Sequence, residues 1–293
     1  MTIKSQSEGR EFARQLVEDT AALVSPPDIC IRVAELIQSP ETSAGEIGEV
    51  IIRDPSLTAR LLRLVNSPFY SLRGEVDTVS RAIAVIGPQE LYSLVLTVSA
   101  VKSFSNVPNS QVNMDTFWRH SVYTGLIARG FGKHCNVLHP ERLFVAGLLH
   151  DIGCLVLYKK MQDASRDLLM SADGDEEVFY QAEQQELGYT HADVGELLLE
   201  TWSLPTTLCS AVRWHHEPCQ VEEGRIEAAV LYVANILANR SMIGGYCEQT
   251  NCLTPIDPAA LEIIGVRADD IDEEEVIGQA GIAFAETASV LAA

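Results

Sequence analysis

The sequence predicts an all-α fold, and three observations carry that expectation. Apolar residues recur at three- and four-residue spacing nearly from end to end. No stretch alternates convincingly with a period of two, the mark of a half-buried strand. Residues that start and stop helices punctuate the pattern at ordinary helix lengths. The 293 residues are 47% apolar, enough for a sizeable core in one large domain or two modest ones.

The elements follow in order. Residues 8–24 carry Phe12, Leu16 and Leu23 on a polar background, and Pro26-Pro27 break the chain. Ile29, Val33, Leu36 and Ile37 then follow one helix face. Ser43 with Glu46 forms a capping box, opening a helix faced by Ile47, Val50 and Ile51. Asp54-Pro55 places an N-cap before a proline at the first helical position, and Ser67-Pro68 ends that segment. A short helix near 78–86 stops at Gly87, and Pro88 starts another with Leu91, Leu94, Val95, Val98 and Val101 facing inward. Residues 105–113 are polar, contain Pro108 and read as a linker between two halves. The second half holds helices near 114–134, 140–160, 163–172, 175–187, 190–202 and 205–216. A last group lies near 225–241, 257–264 and 272–290. The acidic run from Asp269 to Glu275 reads as negative charge at the positive end of the last helix's dipole.

Charge narrows the function classes. The net charge of −20, from 41 acidic and 21 basic residues, argues against a nucleic-acid or anionic-membrane surface. Seven scattered cysteines without a Cys-x-x-Cys pair suit a reduced cytoplasmic chain better than a disulfide framework. The start, Met1-Thr2-Ile3-Lys4, lacks the apolar core of a signal peptide, and no apolar run approaches a membrane span. Gly130-x-Gly132-Lys133 lacks the preceding strand and the spacing of a phosphate loop.

Five of the seven histidines form a spaced series on consecutive helices: His120, His150 followed by Asp151, His191, and the doublet His215-His216. Imidazoles gathered from several helices around one carboxylate are the raw material of a metal site. The pair His150-Asp151 ends the apolar run Val145 to Leu149. Burying a carboxylate there is costly without a cation or hydrogen bonds. Taken alone, a helical histidine is more often a core residue than a ligand, and an Asp at that place can simply cap a helix. Gly153 lets the backbone turn or pack closely, and Gly195 leaves room for a neighbour one turn beyond His191. On a helix, His215 and His216 diverge by about 100°, so one site uses both only if it is wide, as with two metals, or if one supports the other. His134 and His139 read as surface or helix-end residues. Cys154 reads as a buried inert thiol, because nothing cationic accompanies it in sequence.

These residues resemble the HD superfamily of metal-dependent phosphohydrolases, in its longer two-metal variant. More specifically, residues 20–216 resemble the HDOD domain. The carriers are Pro26-Pro27, Ile51 to Asn66, Ser67-Pro68-Phe69-Tyr70, Ala82 to Gly87, Phe117 to His120 and Ala146 to Gly153. His191 to Gly195, Trp202 to Pro205 and Arg213 to His216 complete the match, which covers about two thirds of the chain. The resemblance implies two packed helical lobes, the second an HD-like helical core, in a bacterial signalling module without established enzymatic activity. The expected organisation is an N-terminal helical extension over 1–19, then an HDOD domain over 20–216 with a bundle at 20–104 and the HD-like lobe at 114–216. Residues 217–293 are expected to pack on that lobe.

Two departures from catalytic relatives stand out. Their pattern closes with an Asp where this chain has Asn235, and an amide brings no negative charge. The cyclic-di-GMP phosphodiesterases of the HD-GYP type carry a Lys after the His-Asp-x-Gly segment and a Gly-Tyr-Pro signature downstream. Here those places hold Cys154 and Glu217-Pro218-Cys219. The expectation is therefore a non-catalytic regulatory module. Its metal residues would be His120, His150, Asp151, His191, His215, His216 and Asn235, holding one or two ions. An imidazole-rich set with one carboxylate suits iron or zinc better than magnesium or calcium. Expected partners are signalling proteins, with no nucleic acid and no membrane, and homo-oligomerisation is left open. The alternative is a metal-dependent phosphohydrolase acting on a nucleotide or cyclic dinucleotide.

Overall fold

The structure, a computed structural model, describes residues 6–24, 28–39, 41–67, 70, 72, 74–104, 112–135, 137, 140–247, 252 and 254–291. Pro26-Pro27, Pro68, Phe69, His139 and most of the linker at 105–113 lie outside the described residues. Among the described residues there is no strand. The expected all-α class holds. No single described helix is long and apolar enough to cross a membrane.

The chain divides into two compact units. One comprises Val24–Ser105 with Gly281–Ala293. Its helices are α2 (Asp28–Gln38), α3 (Ala44–Ile51), α4 (Pro55–Asn66), α5 (Val79–Ile86) and α6 (Pro88–Ser103). The Ser43–Glu46 capping box is present, and the Asp54 carboxylate accepts from the amides of Ser56 and Leu57. Each such cap is worth about 1 kcal/mol. Gly87 ends α5 at φ +86°, a conformation costly for a residue with a Cβ. Cys30, Val33, Ile51, Leu61, Leu64, Leu91 and Leu94 form its core.

The other unit comprises Met1–Leu23 and Asn106–Ala280. It contains α1 (Gln6–Val24), α7 (Met114–His134), α8 (Glu141–Leu149), α9 (Ile152–Lys160), α10 (Gln162–Ala172), α11 (Glu176–Glu186) and α12 (His191–Thr201). It continues with α13 (Thr206–Arg213), α14 (Arg225–Arg240), α15 (Pro258–Ile264) and the start of α16 (Glu273–Leu291). α1 is tied in by an ion pair between Arg10 and Glu196 at 2.7 Å. α14 is its central element: Ala228 to Asn239 is buried along its whole length against α7, α13 and α15.

Two helices differ from the expected spans, and both differences shape the site. The segment 140–160 is broken at His150-Asp151 into α8 and α9. The expected helix at 205–216 stops at Arg213, leaving His215 and His216 in a turn. In each case the periodic apolar pattern runs through the break, so periodicity alone gives no sign of it.

Candidate metal centre

Close helix crossings set the histidines. α7 meets α8 at Gly125 and Gly147, where a Cβ on Gly147 would lie 2.4 Å from the Gly125 Cα. No side chain fits there, so the backbones touch and His120 comes to face His150. α9 meets α12 in the same way: a Cβ on Gly153 would lie 2.0 Å from the His191 carbonyl oxygen. That contact brings His191 to Asp151. The Thr190–Asp193 capping box fixes the first turn of α12 and hence His191 itself. Past the end of α13, the turn brings the rings of His215 and His216 to a centroid distance of 4.2 Å. The diverging helical doublet expected from sequence is thus replaced by two rings that serve one region.

All five rings are oriented from behind. The Nδ1 of His120, His150 and His215 faces the carbonyl oxygens of Gly244, Gly147 and Val212 at 2.7, 2.7 and 2.6 Å. The Nδ1 of His191 faces Glu183 Oε2 at 2.6 Å, and that of His216 faces Glu177 Oε2 at 3.3 Å. Carbonyls and carboxylates only accept, so each Nδ1 carries the hydrogen and each Nε2 is left for the interior. The Nε2 atoms of His120 and His150 lie 3.2 Å apart, as do those of His191 and His216. In neutral rings those are lone pairs facing each other, an arrangement that calls for a cation between or beside them.

Asp151 stands between the two pairs. Its Oδ2 is 3.2 Å from His150 Nε2 and 3.6 Å from His120 Nε2. Its Oδ1 is 3.4 Å from His191 Nε2 and 3.8 Å from His215 Nε2. Asp151 is 1% exposed, and among the described residues neither oxygen has a hydrogen-bond partner of good geometry, nor does His215 Nε2. Burial alone would raise the Asp151 carboxyl, but the nearby His150, then the charges of His191 and His120, outweigh it and hold it well below the usual carboxylate range. Burial would lower His150, yet Asp151 raises it. Burial would likewise lower His191, yet Cys154 and Glu183 raise it well above the usual value. Burial and then the neighbouring rings push His215 well down.

Sequence reading missed the contribution of α11. α11 turns Glu176, Phe179, Tyr180 and Glu183 inward, a stripe at i, i+3, i+4 and i+7. Phe179 stacks on His191 and Tyr180 on His216, with interplanar angles of 17° and 19°. Glu183 orients His191 and Glu176 reaches the histidines. The Cys154 thiol lies in one group with Asp151 and His191, and burial pushes it up to about 12. Asn235 is near, but its amide nitrogen is turned to Glu176, 3.0 Å from each carboxylate oxygen. His134 is exposed at the end of α7.

The donors fit a transition metal. One group joins His120, His150, Asp151 and Glu176; a second joins His191, His215, His216 and Glu176. Within each group the ligand atoms all lie within 4.8 Å of one another. Orphaned buried carboxylate oxygens and convergent Nε2 atoms are what such an ion would satisfy. A cleft reaches the second group, lined by Asp175, Glu176, Glu177, His215, His216, Tyr232, Asn235, Ile236, Asn239, Cys252 and Thr254. No lysine or arginine is among its described lining residues. Of the cations nearby, Arg213 pairs with Asp193 at 2.7 Å, and Arg240 pairs with Glu273 and donates to the Thr254 carbonyl at 2.8 Å.

Comparison with known proteins agrees with this architecture. An uncharacterized protein of Treponema pallidum (strain Nichols) is 23% identical over 240 residues, 80% of this chain; the chain spans 45% of that relative's length. The crystal structure of an HDOD domain protein of unknown function from Geobacter sulfurreducens matches with a TM-score of 0.70 and 24% identity, covering 96% of this chain and 97% of that one. A presumed metal-dependent phosphohydrolase from Shewanella amazonensis SB2B matches with a TM-score of 0.66 and 18% identity, covering 96% and 99%. At these identities the solved structures speak for the fold. The HDOD domain model matches residues 23–218, two thirds of the chain. The chain belongs to the HDOD domain family.

Proposed function

We propose that this protein is a non-catalytic regulatory module of bacterial signal transduction, built around a metal centre that His120, His150, Asp151, His191, His215 and His216 hold. Iron or zinc suits these donors best. A bound ion supplies fixed positive charge and, where a coordination position stays open, an acidified water. The chain's own residues do the rest. Asp151 spans the two imidazole pairs, the Nδ1 partners fix the rings, and the apolar packing of α8, α9 and α14 excludes water.

The observation that carries the non-catalytic reading is the acidic mouth. Asp175, Glu176 and Glu177 line the cleft, and its described lining offers no cation to a phosphate. Transition-state charge stabilisation is usually the largest catalytic term, and an anionic substrate meets repulsion here instead. Such a centre stiffens the helices it joins, which supports a role in presenting a surface to signalling proteins. Seven free cysteines support a reducing, cytoplasmic setting.

The complete imidazole set favours one other reading, a phosphohydrolase acting on a nucleotide or cyclic dinucleotide. Turnover separates the two. Purified chain loaded separately with iron, manganese and zinc is offered a panel of nucleotides and cyclic dinucleotides. The proposal expects no metal-dependent hydrolysis. Turnover near about 1 per second, lost in His150→Ala, would establish the enzyme.

A further inference from the structure

We infer that Glu176 is the second carboxylate of this centre, replacing in space the charge that Asn235 lacks, and that Asn235 and Asn239 are positioning residues that hold it. The inference rests on the metal-centre reading above and names a ligand that the histidine series does not contain.

Glu176 opens α11 and is 6% exposed. Asn235 and Asn239 lie one turn apart on α14, so their amides project from one face. The Asn235 amide nitrogen donates to both Glu176 oxygens at 3.0 Å. Asn239 donates to Oε2 of the same carboxylate. The orientation of Asn239 is fixed independently: its Oδ1 accepts from the Tyr246 amide at 2.7 Å, which leaves only the NH₂ end for Glu176. Glu176 Oε1 lies 3.8 Å from His216 Nε2, and Glu176 is the residue common to both groups of candidate ligands.

The chemistry gives this clamp a purpose. Two neutral amides align a carboxylate without cancelling its charge. A buried carboxylate held by neutral donors, beside the unpartnered Asp151 oxygens and His215 Nε2, is uncompensated until a cation arrives. An aspartate at 235 with an amide at 176 would carry the same charge from the opposite side of the same hydrogen bond.

The clamp can be tested by exchanging its two groups. The full chain and its variants are titrated with cobalt(II), read by visible d–d absorption and by competition with a chelator, with apo-state helicity checked by circular dichroism. Glu176→Gln should weaken cobalt binding by more than about 100-fold, beyond the usual cost of losing a supporting partner. Asn235→Ala, which keeps the ligand but loosens it, should cost about 10- to 100-fold. The double variant Glu176→Gln with Asn235→Asp should recover most of the loss and restore the absorption envelope. Unchanged affinity in Glu176→Gln, or a folded double variant that binds no better than the single one, overturns the inference and leaves the histidine centre standing. Wild-type chain that binds no cobalt overturns both.

Discussion

Asp151 is the side chain on which the centre turns. Its two oxygens face different imidazole pairs, and among the described residues no arginine or lysine lies within ion-pair distance of it. Asp151→Asn removes the charge between the pairs while keeping the shape. It should abolish metal retention, measured by elemental analysis; a variant that keeps its full metal content contradicts this role. Glu183 acts one step back, through the His191 Nδ1. Glu183→Gln should weaken metal binding by about 10- to 100-fold while leaving the helices intact, and an unchanged affinity would show that backbone packing alone orients His191. The thiols give a separate check. Burial pushes Cys30 up to about 11 and Cys154 and Cys209 up to about 12, whereas Cys219 is exposed. The thiolate is the reactive form. Iodoacetamide at pH 8 should therefore alkylate Cys219 well before these three, as read by peptide mass mapping. Rapid labelling of Cys154 in folded chain would mean that the centre is open.

Helix crossings turn these residues into a site, and glycines permit the crossings. Gly153→Ala forces a methyl into the His191 carbonyl and the Gly195 amide. The expected cost is about 1–3 kcal/mol, with metal affinity falling alongside because Asp151 and His191 separate. Gly130 in α7 is the control: among the described residues nothing lies within 4 Å of its Cβ position. Gly130→Ala should stabilise the chain by up to about 1 kcal/mol. Denaturant titration of the pair separates steric crowding from helix propensity, and equal effects would refute the close-crossing account. The same elements show what the sequence disclosed. Capping residues were legible at Ser43 and Asp54 because each cap is local chemistry, and the histidine series was legible because its members sit on separate helices in a telling order. The break at His150-Asp151 was not, because both residues tolerate helical geometry and the apolar period continues through them. Glu176 and Glu183 were missed because acidic residues on a polar helix look solvated. Their spacing around Phe179 and Tyr180 was the available clue: one stripe, with a carboxylate at each end.

Taken together, the chain spends its burial on holding charge. One compact unit keeps five imidazoles and the Asp151 carboxylate nearly dry, and the cleft that reaches His215 and His216 is acidic. The net charge of −20 draws cations toward such a mouth and repels phosphates. A ligand that binds only the folded state stabilises it by mass action, about 2.7 kcal/mol at a hundredfold excess over Kd. Zinc at that excess should therefore raise the melting temperature by several degrees, and His150→Ala should remove the rise. An equal rise in that variant would mean that zinc binds elsewhere. The most direct test is elemental analysis of chain purified without chelator, run beside His150→Ala and Asp151→Asn. The account predicts iron or zinc at roughly one or two ions per chain, lost in both variants. Metal-free wild-type chain, or stoichiometric magnesium or calcium at these residues, would contradict it.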